Sequence, residues 1–328
     1  MSHGLGRASI AALLRVVVTV LLVAAVASML AESAPGSAAE RAAAAAGVVA
    51  PDDARVPAAL RRAVVDDVAR DRGATGSAGE RVWASVRGAP TLDFGTSWID
   101  RRPVRAHLRR TAPPTLELVL LSLVVALALG IGVALVAARR PGSAGDALLG
   151  AAAAVAVSLP PVWLGLLLLR TLAAGEPWRW FPIDGMNGVA GLVLPVVTLA
   201  LVPAFVVARH ARAELVAARN APWAVAARAR GCSEWRVLAR HALRAQAGAL
   251  APLLVALTAY LLGASVVVER LFGLGGLGSA LLDAAGRGDQ PVIVGASVVY
   301  ALVIALASAA VDLGRRALDP RAGGIDAA

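Results

Sequence analysis

The residue types that do covalent or metal chemistry are few and scattered in this 328-residue chain. Its four histidines, His3, His107, His210 and His241, lack the helical His-Glu-x-x-His spacing that seats a catalytic zinc. Cys232 is the single cysteine, so neither an intrachain disulfide framework nor a paired-cysteine metal knuckle can form. All 32 basic residues are arginine. The missing lysine excludes a P-loop, whose lysine reaches the nucleotide phosphates, and it excludes Schiff-base catalysis. These residues hold no catalytic site, no cofactor and no metal, and the chain is read as not an enzyme.

What remains is guanidinium chemistry, concentrated in one stretch. The segment Arg209–Gly248 carries Arg209, Arg212, Arg219, Arg228, Arg230, Arg236, Arg240 and Arg244 against only Glu214 and Glu234. Within it, Asn220-Ala221-Pro222 reads as an N-cap followed by a proline early in a first helical turn. VAARARG (225–231) follows, and Gly231 is a natural stop because glycine takes the left-handed conformation that ends a helix. A second helix is predicted over Glu234–Ala247. The small side chains of the first helix permit close approach of another protein, and Arg228 and Arg230 at its edge can meet carboxylates on a partner. Taken singly, the arginines are equally well explained as topogenic charge, but topology needs only charge and not a capped helix–glycine–helix unit.

The elements that position this segment are membrane spans. With 58% hydrophobic and 16% charged residues, the chain falls well below the roughly 25% charge of soluble domains. Runs of about 20 uncharged apolar residues mark spans. Five are clean: Leu118–Ala138, Ala147–Leu169, Gly188–Ala208, Ala249–Val268 and Pro291–Val311. A sixth, at the N-terminus, is Val16–Ala31, extended by Ala8–Leu14 with Arg15 snorkelling to the interface. The same run, with Ala31-Glu32-Ser33-Ala34 behind it, also fits a signal peptide and its cleavage site, so retention of residues 1–31 is left open.

Arginine placement orients the chain. Arg139 and Arg140, the loop 209–248, and Arg315, Arg316 and Arg321 mark the cytoplasmic side. The opposite links are poorer, with Arg179 beside Glu176 and Asp184, and Arg287 beside Asp283 and Asp289. The expected fold is therefore an all-α membrane protein of six transmembrane helices with both termini cytoplasmic. An extracytoplasmic segment, 32–112, follows the first helix (1–31). A five-helix core, 113–314, includes the loop 209–248, and 315–328 is a tail. The extracytoplasmic segment starts loosely specified over Ala38–Ala50. It then shows a helix, Pro57–Arg70, with Leu60, Val64, Val65 and Val68 toward one face.

Other residues carry weaker signals. Glu117 and Glu269, at span ends, and Ser158 and Pro160, at a proline pair, are candidates for lining a solute pathway; interfacial placement explains the two glutamates as well. Arg170 is expected to snorkel outward. Trp163, Trp178, Trp180 and Phe181 are expected to form an interfacial belt. Pro160-Pro161, Pro195 and Pro203 kink or loosen their spans. Gly273, Gly275, Gly276 and Gly278 form a turn or re-entrant stretch, and Cys232 is a packing residue.

AARARG (226–231) with SEWRVLARHALR (233–244) resembles the cytoplasmic EAA-type signature of binding-protein-dependent ABC importer permeases, in the form of the dipeptide/oligopeptide/nickel branch. Ala226, Ala227 and Gly231 match the signature; Val225 stands where its glutamate would, and Pro252 lies later than the usual proline. LDFGTS (92–97), TLEL (115–118), SLPPVW (158–163), LPVVTLALVPAFVVARHAR (194–212), ERLFGLGGLG (269–278), RGDQPVIVG (287–295) and VDLGRRALDPR (311–321) resemble further stretches of the branch, in family order.

The resemblance implies a permease subunit of a bacterial inner membrane importer, forming half the pathway for a peptide- or nickel-type solute. It implies a second, homologous permease, commonly making a heterodimer, separate ATPase subunits and an extracytoplasmic solute-binding protein. Pro222, Ala226, Ala227, Arg228, Arg230 and Gly231 would form the coupling helix laid into the ATPase, with Arg236, His241 and Arg244 as supports. The missing P-loop lysine agrees, because the energy then enters from another chain. The main rival, a self-sufficient secondary transporter or channel, wants ionisable groups deep in the spans, and the five clean spans have none near their middles. A membrane-anchored sensor leaves five spans unexplained. Nucleic acid is not expected as a partner, because the arginine-rich loop lies between two spans; membrane lipid is.

Overall fold

The computed structural model describes residues 2–48, 57–173, 180–181, 188–243 and 247–318. Trp178, Arg179, Glu176, Asp184, Arg244 and Arg321 lie outside them, so the expectations placed on these residues stand untested. Among the described residues the regular structure is helical, with one isolated bridge between Thr96 and Pro103. Two compact units are formed, Met1–Thr115 with Gly275–Ala309, and Leu116–Leu274 with Ala310–Ala328.

The first unit holds α1 (Ser2–Glu32), α2 (Ala38–Ala45), α3 (Ala58–Asp71), α4 (Ala78–Gly88), the first turns of α5 (Val104–Arg139), α12 (Leu277–Arg287) and most of α13 (Gln290–Leu318). Its core joins Val16, Val20 and Ala24 of α1 to Val104 and Leu108 of α5 and to Val292, Ala296 and Val299 of α13. The stretch Ala38–Ala50, read as loosely specified, begins with a helix. Ser37 Oγ accepts from Glu40 N–H, and the Glu40 carboxylate accepts in return from Ser37 N–H, a reciprocal capping box. The same device, Ser77 with Glu80, starts α4. The predicted helix 57–70 is found as α3, with Val64, Val65 and Val68 half-buried. Leu60 departs from that face: it is exposed, and Ala69 fills the packing position against Ala42 and Trp98. At the end of α1, the Glu32 carboxylate accepts from Arg81 at 2.8 and 2.6 Å, Arg41 at 3.2 Å and Gln290 at 2.6 Å.

The second unit holds the rest of α5, α6 (Ala144–Ser158), α7 (Pro161–Leu168), α8 (Gly188–Arg219), α9 (Pro222–Ala229), α10 (Glu234–Arg236) and α11 (Ala247–Phe272). Close helix approach depends on glycine at two places. A Cβ at Gly130 of α5 would sit 2.6 Å from the Ala204 carbonyl oxygen of α8, and one at Gly165 of α7 would sit 2.5 Å from Leu271 of α11.

Among the described residues, five helices are long and apolar enough to cross a membrane: Ser9–Glu32, Val104–Arg139, Gly188–Arg219, Gly248–Phe272 and Gln290–Arg315. The span read as a single run, Ala147–Leu169, is instead a bent pair. Ala144–Ser158 and Pro161–Ala173 meet at 100°, and counting that pair as one span brings the total to six. The bend follows from the chemistry of two adjacent prolines. Each lacks an N–H, and each pushes the preceding residue out of the helical region. Leu159 (ψ 122°) and Pro160 (ψ 136°) are accordingly extended. Pro195 and Pro203, by contrast, lie within an unbroken α8.

Candidate functional site

The loop between α8 and α11 is built around α9. Pro222 occupies its first turn, where a missing N–H costs nothing. The N-cap is Ala221 and not the expected Asn220, and no side chain caps the helix. The stop is as predicted. Gly231 sits at φ +83°, its N–H bonds the Arg228 carbonyl at 2.8 Å, and Cys232 N–H bonds the Ala227 carbonyl at 3.1 Å. This doubly bonded left-handed turn satisfies carbonyls that the helix end would otherwise leave open.

One side of α9 is buried. Ala224 and Ala227 pack on Val237, with the half-buried Cys232 beside them. The other side is open: Pro222, Trp223, Val225, Ala226, Ala229 and Arg230 are all exposed. Arg228 does not reach outward. Its guanidinium donates to Glu234 at 2.8 Å and to the Arg219 carbonyl at 2.8 Å. Arg219 pairs with the same Glu234 at 2.9 Å and donates to the carbonyls of Ala138 and Arg139 at 2.9 and 3.1 Å, which closes the end of α5. One half-buried carboxylate thus holds two guanidinium groups and ties α9 to the end of α8.

The second loop helix, expected over Glu234–Ala247, is helical from Glu234 to Leu243, where the described residues of this stretch stop. After α10 the backbone winds as a π-helix over Val237–Ala242. This wider turn buries Leu238 and Ala242 among Ala134, Leu135 and Ala138 of α5 and Ala211, Leu215 and Ala218 of α8. The unit is therefore attached to two long helices through packed side chains.

Of the expected supports, Arg236 and His241 are exposed, with no hydrogen-bond or ion-pair partner among the described residues, and Arg244 lies outside them. The groups in contact with α9 are those of Glu234, Arg219 and Val237. Their signal was present in the sequence: Glu234 is one of only two acids among eight arginines, six positions after Arg228. Trp223 and Trp235 were also missed; Arg139 lies over the Trp235 ring at 4.5 Å.

The pathway candidates lie on different helices of the second unit. Ser158 and Pro160 sit together at the α6–α7 bend, both exposed, and Ser158 Oγ donates to the Ala154 carbonyl at 2.9 Å. Glu117 is exposed on α5, whereas Glu269, in the last turn of α11, is fully buried. Among the described residues no cluster of three or more His, Cys, Asp or Glu is placed to hold a metal.

Comparison with known proteins gives the family. The profile of the binding-protein-dependent transport system inner membrane component matches residues 130–324, which contain the whole α9 unit. The dipeptide transport system permease protein DppB of Lactococcus lactis subsp. cremoris is 30% identical over 232 residues, covering 70% of this chain and 76% of the relative. The glutathione transport system permease protein GsiC of Escherichia coli K12 is 32% identical over 241 residues, covering 73% and 77%. Its counterpart in Salmonella choleraesuis is 33% identical over 235 residues, covering 70% and 74%. The chain belongs to the family of binding-protein-dependent transport system inner membrane components, and is a multi-pass permease subunit of the bacterial inner membrane.

Proposed function

We propose that the chain forms half of the solute pathway of a peptide-type ABC importer and that α9, Pro222–Ala229 with its Gly231 stop, is the helix on which a separate ATPase acts. The names of the relatives, a dipeptide and a glutathione permease, support short peptides as the cargo class. Family membership supports a solute-binding protein and an ABC ATPase as partners. A second, homologous permease supplies the other half of the pathway.

The observation that carries the coupling role is the two-sidedness of α9. Its inner side is fixed through Ala224, Ala227 and the Arg228–Glu234–Arg219 set, while Trp223, Val225, Ala226 and Arg230 stand open. Exposed aromatic and small apolar residues beside an arginine are the composition of a protein-docking surface. Closure of the ATPase would displace α9, and the packed Leu238 and Ala242 would carry that displacement into α5 and α8. Both termini and this loop face the cytoplasm in this reading, 32–112 faces outward, and 113–314 is the permease core. Glu117, Ser158, Pro160 and Glu269 are its candidate pathway residues.

The test is ATP turnover by the assembled importer with Trp223→Ala or Ala226→Glu. Assembly or solute-stimulated turnover falls if α9 is the docking helix. Unchanged assembly and turnover in both variants would remove it from that role.

A further inference from the structure

We propose that the second unit carries a site for an anionic phospholipid at the end of α5, with Arg139 and Arg140 holding the headgroup phosphate. A cleft of about 910 Å³ lies between the last turns of α5, the start of α6 and the α9–α10 loop. Its floor is apolar: Val133 and Val136 of α5, 42% and 65% exposed, and Leu149 of α6. Its rim is basic, formed by Arg139 and Arg140, with Trp235 beside them.

Charge at the rim is one-sided once pairing is taken into account. Two acids line the cleft, Asp146 and Glu234. Asp146 is held by the Arg212 guanidinium, and Glu234 by Arg219 and Arg228. Arg139 and Arg140 make no ion pair among the described residues, and both are exposed. Arg139 lies over the Trp235 ring at 4.5 Å, and among the described residues its guanidinium makes no hydrogen bond, so its N–H groups are open to an oxyanion.

The depth of the cleft selects a lipid over a soluble phosphate. The uncharged run Leu118–Ala138 of α5 ends at Arg139, a sequence that puts the arginines where hydrocarbon gives way to water, and a tryptophan at that level is an interfacial residue. Val136 and Val133 lie one and two turns back along α5 from the arginines, on the hydrocarbon side, where an acyl chain continues from a headgroup. Basic clefts between transmembrane helices on the cytoplasmic side bind acidic headgroups through these contacts.

The experiment purifies the full chain from nanodiscs of mixed phosphatidylglycerol and phosphatidylcholine and counts retained lipids by native mass spectrometry. Wild type is expected to retain phosphatidylglycerol selectively. R139Q/R140Q is expected to lower that retention about tenfold or more, since each basic group at the surface contributes about 1 kcal/mol. R139K/R140K is expected to keep most of it, and R209Q/R240Q, which removes equal charge elsewhere in the same unit, to leave it unchanged. Equal loss in the two glutamine pairs would reduce the effect to net charge and overturn the site. Displacement of the lipid by millimolar glycerol phosphate would make it a site for soluble phosphates and also overturn the proposal. All four substituted positions are exposed, and monodispersity of each variant establishes that it has folded.

Discussion

Asp289 accepts hydrogen bonds from Ser97 Oγ at 2.5 Å and from Trp98 N–H at 3.1 Å, joining positions 192 residues apart in sequence. Two short sequence stretches, LDFGTS and RGDQPVIVG, meet at this point. Asp289 is 1% exposed and Ser97 3%, so neither bond has a solvent substitute. The Asp289 carbonyl also accepts from Ile293 N–H at 3.0 Å, so the residue starts α13. Removing the acceptor leaves a buried hydroxyl and a buried amide unmatched. Asp289→Ala is expected to destabilise the protein by about 2–4 kcal/mol. Asp289→Asn, which keeps one acceptor, is expected to cost less. Thermal unfolding in detergent orders the three proteins.

Gly231 has open space where a Cβ would stand, but its φ is +83°. A substitution there is therefore a test of backbone strain alone. Gly231→Val should cost about 1–2 kcal/mol and loosen the end of α9, while Gly231→Asn, which tolerates the left-handed region, should cost distinctly less. ATP turnover of the assembled importer should fall in the same order.

Glu234 holds Arg219 and Arg228 together. Glu234→Ala is expected to lose only about 1 kcal/mol of global stability, because all three side chains are about a quarter to a third exposed and water screens them. Its larger effect should be on solute-stimulated turnover, because α9 loses a tie to α8. Hydrogen exchange over 222–232 should rise in this variant while exchange in the spans stays unchanged.

At Gly130 and Gly165 of the second unit a neighbouring helix stands too close for a Cβ. Gly130→Ala places a methyl against the Ala204 carbonyl, and backbone gives way less easily than a side chain. A loss of about 1–3 kcal/mol is expected for Gly130→Ala. Gly165→Ala meets the flexible end of Leu271 and should cost less. Melting temperatures of the two variants decide the order.

The spans were legible because a bilayer demands long uncharged runs, and Gly231 because few residues take positive φ so readily. The bend at Pro160-Pro161 was only half legible: two prolines announce a disturbance, but Pro195 and Pro203 show that a helix packed among neighbours can run through isolated ones. In residues 32–112 composition alone hides Ser37-x-x-Glu40 and Ser77-x-x-Glu80, whose spacing marks two helix starts. In the loop, counting arginines as positive charge hid the pairing of Arg219 and Arg228 with Glu234. The π-turn over Val237–Ala242 packs Leu238 and Ala242 against α5 and α8, a tertiary contact that local sequence does not announce.

The most direct test is solute uptake by proteoliposomes, comparing this chain alone with the full set of second permease, ATPase and solute-binding protein. Uptake of a short peptide is expected only from the full set, only with ATP, and at a strongly reduced rate when Trp223→Ala is introduced. Sustained uptake by the chain alone, without nucleotide, would contradict the assignment of its energy source to a partner acting through α9.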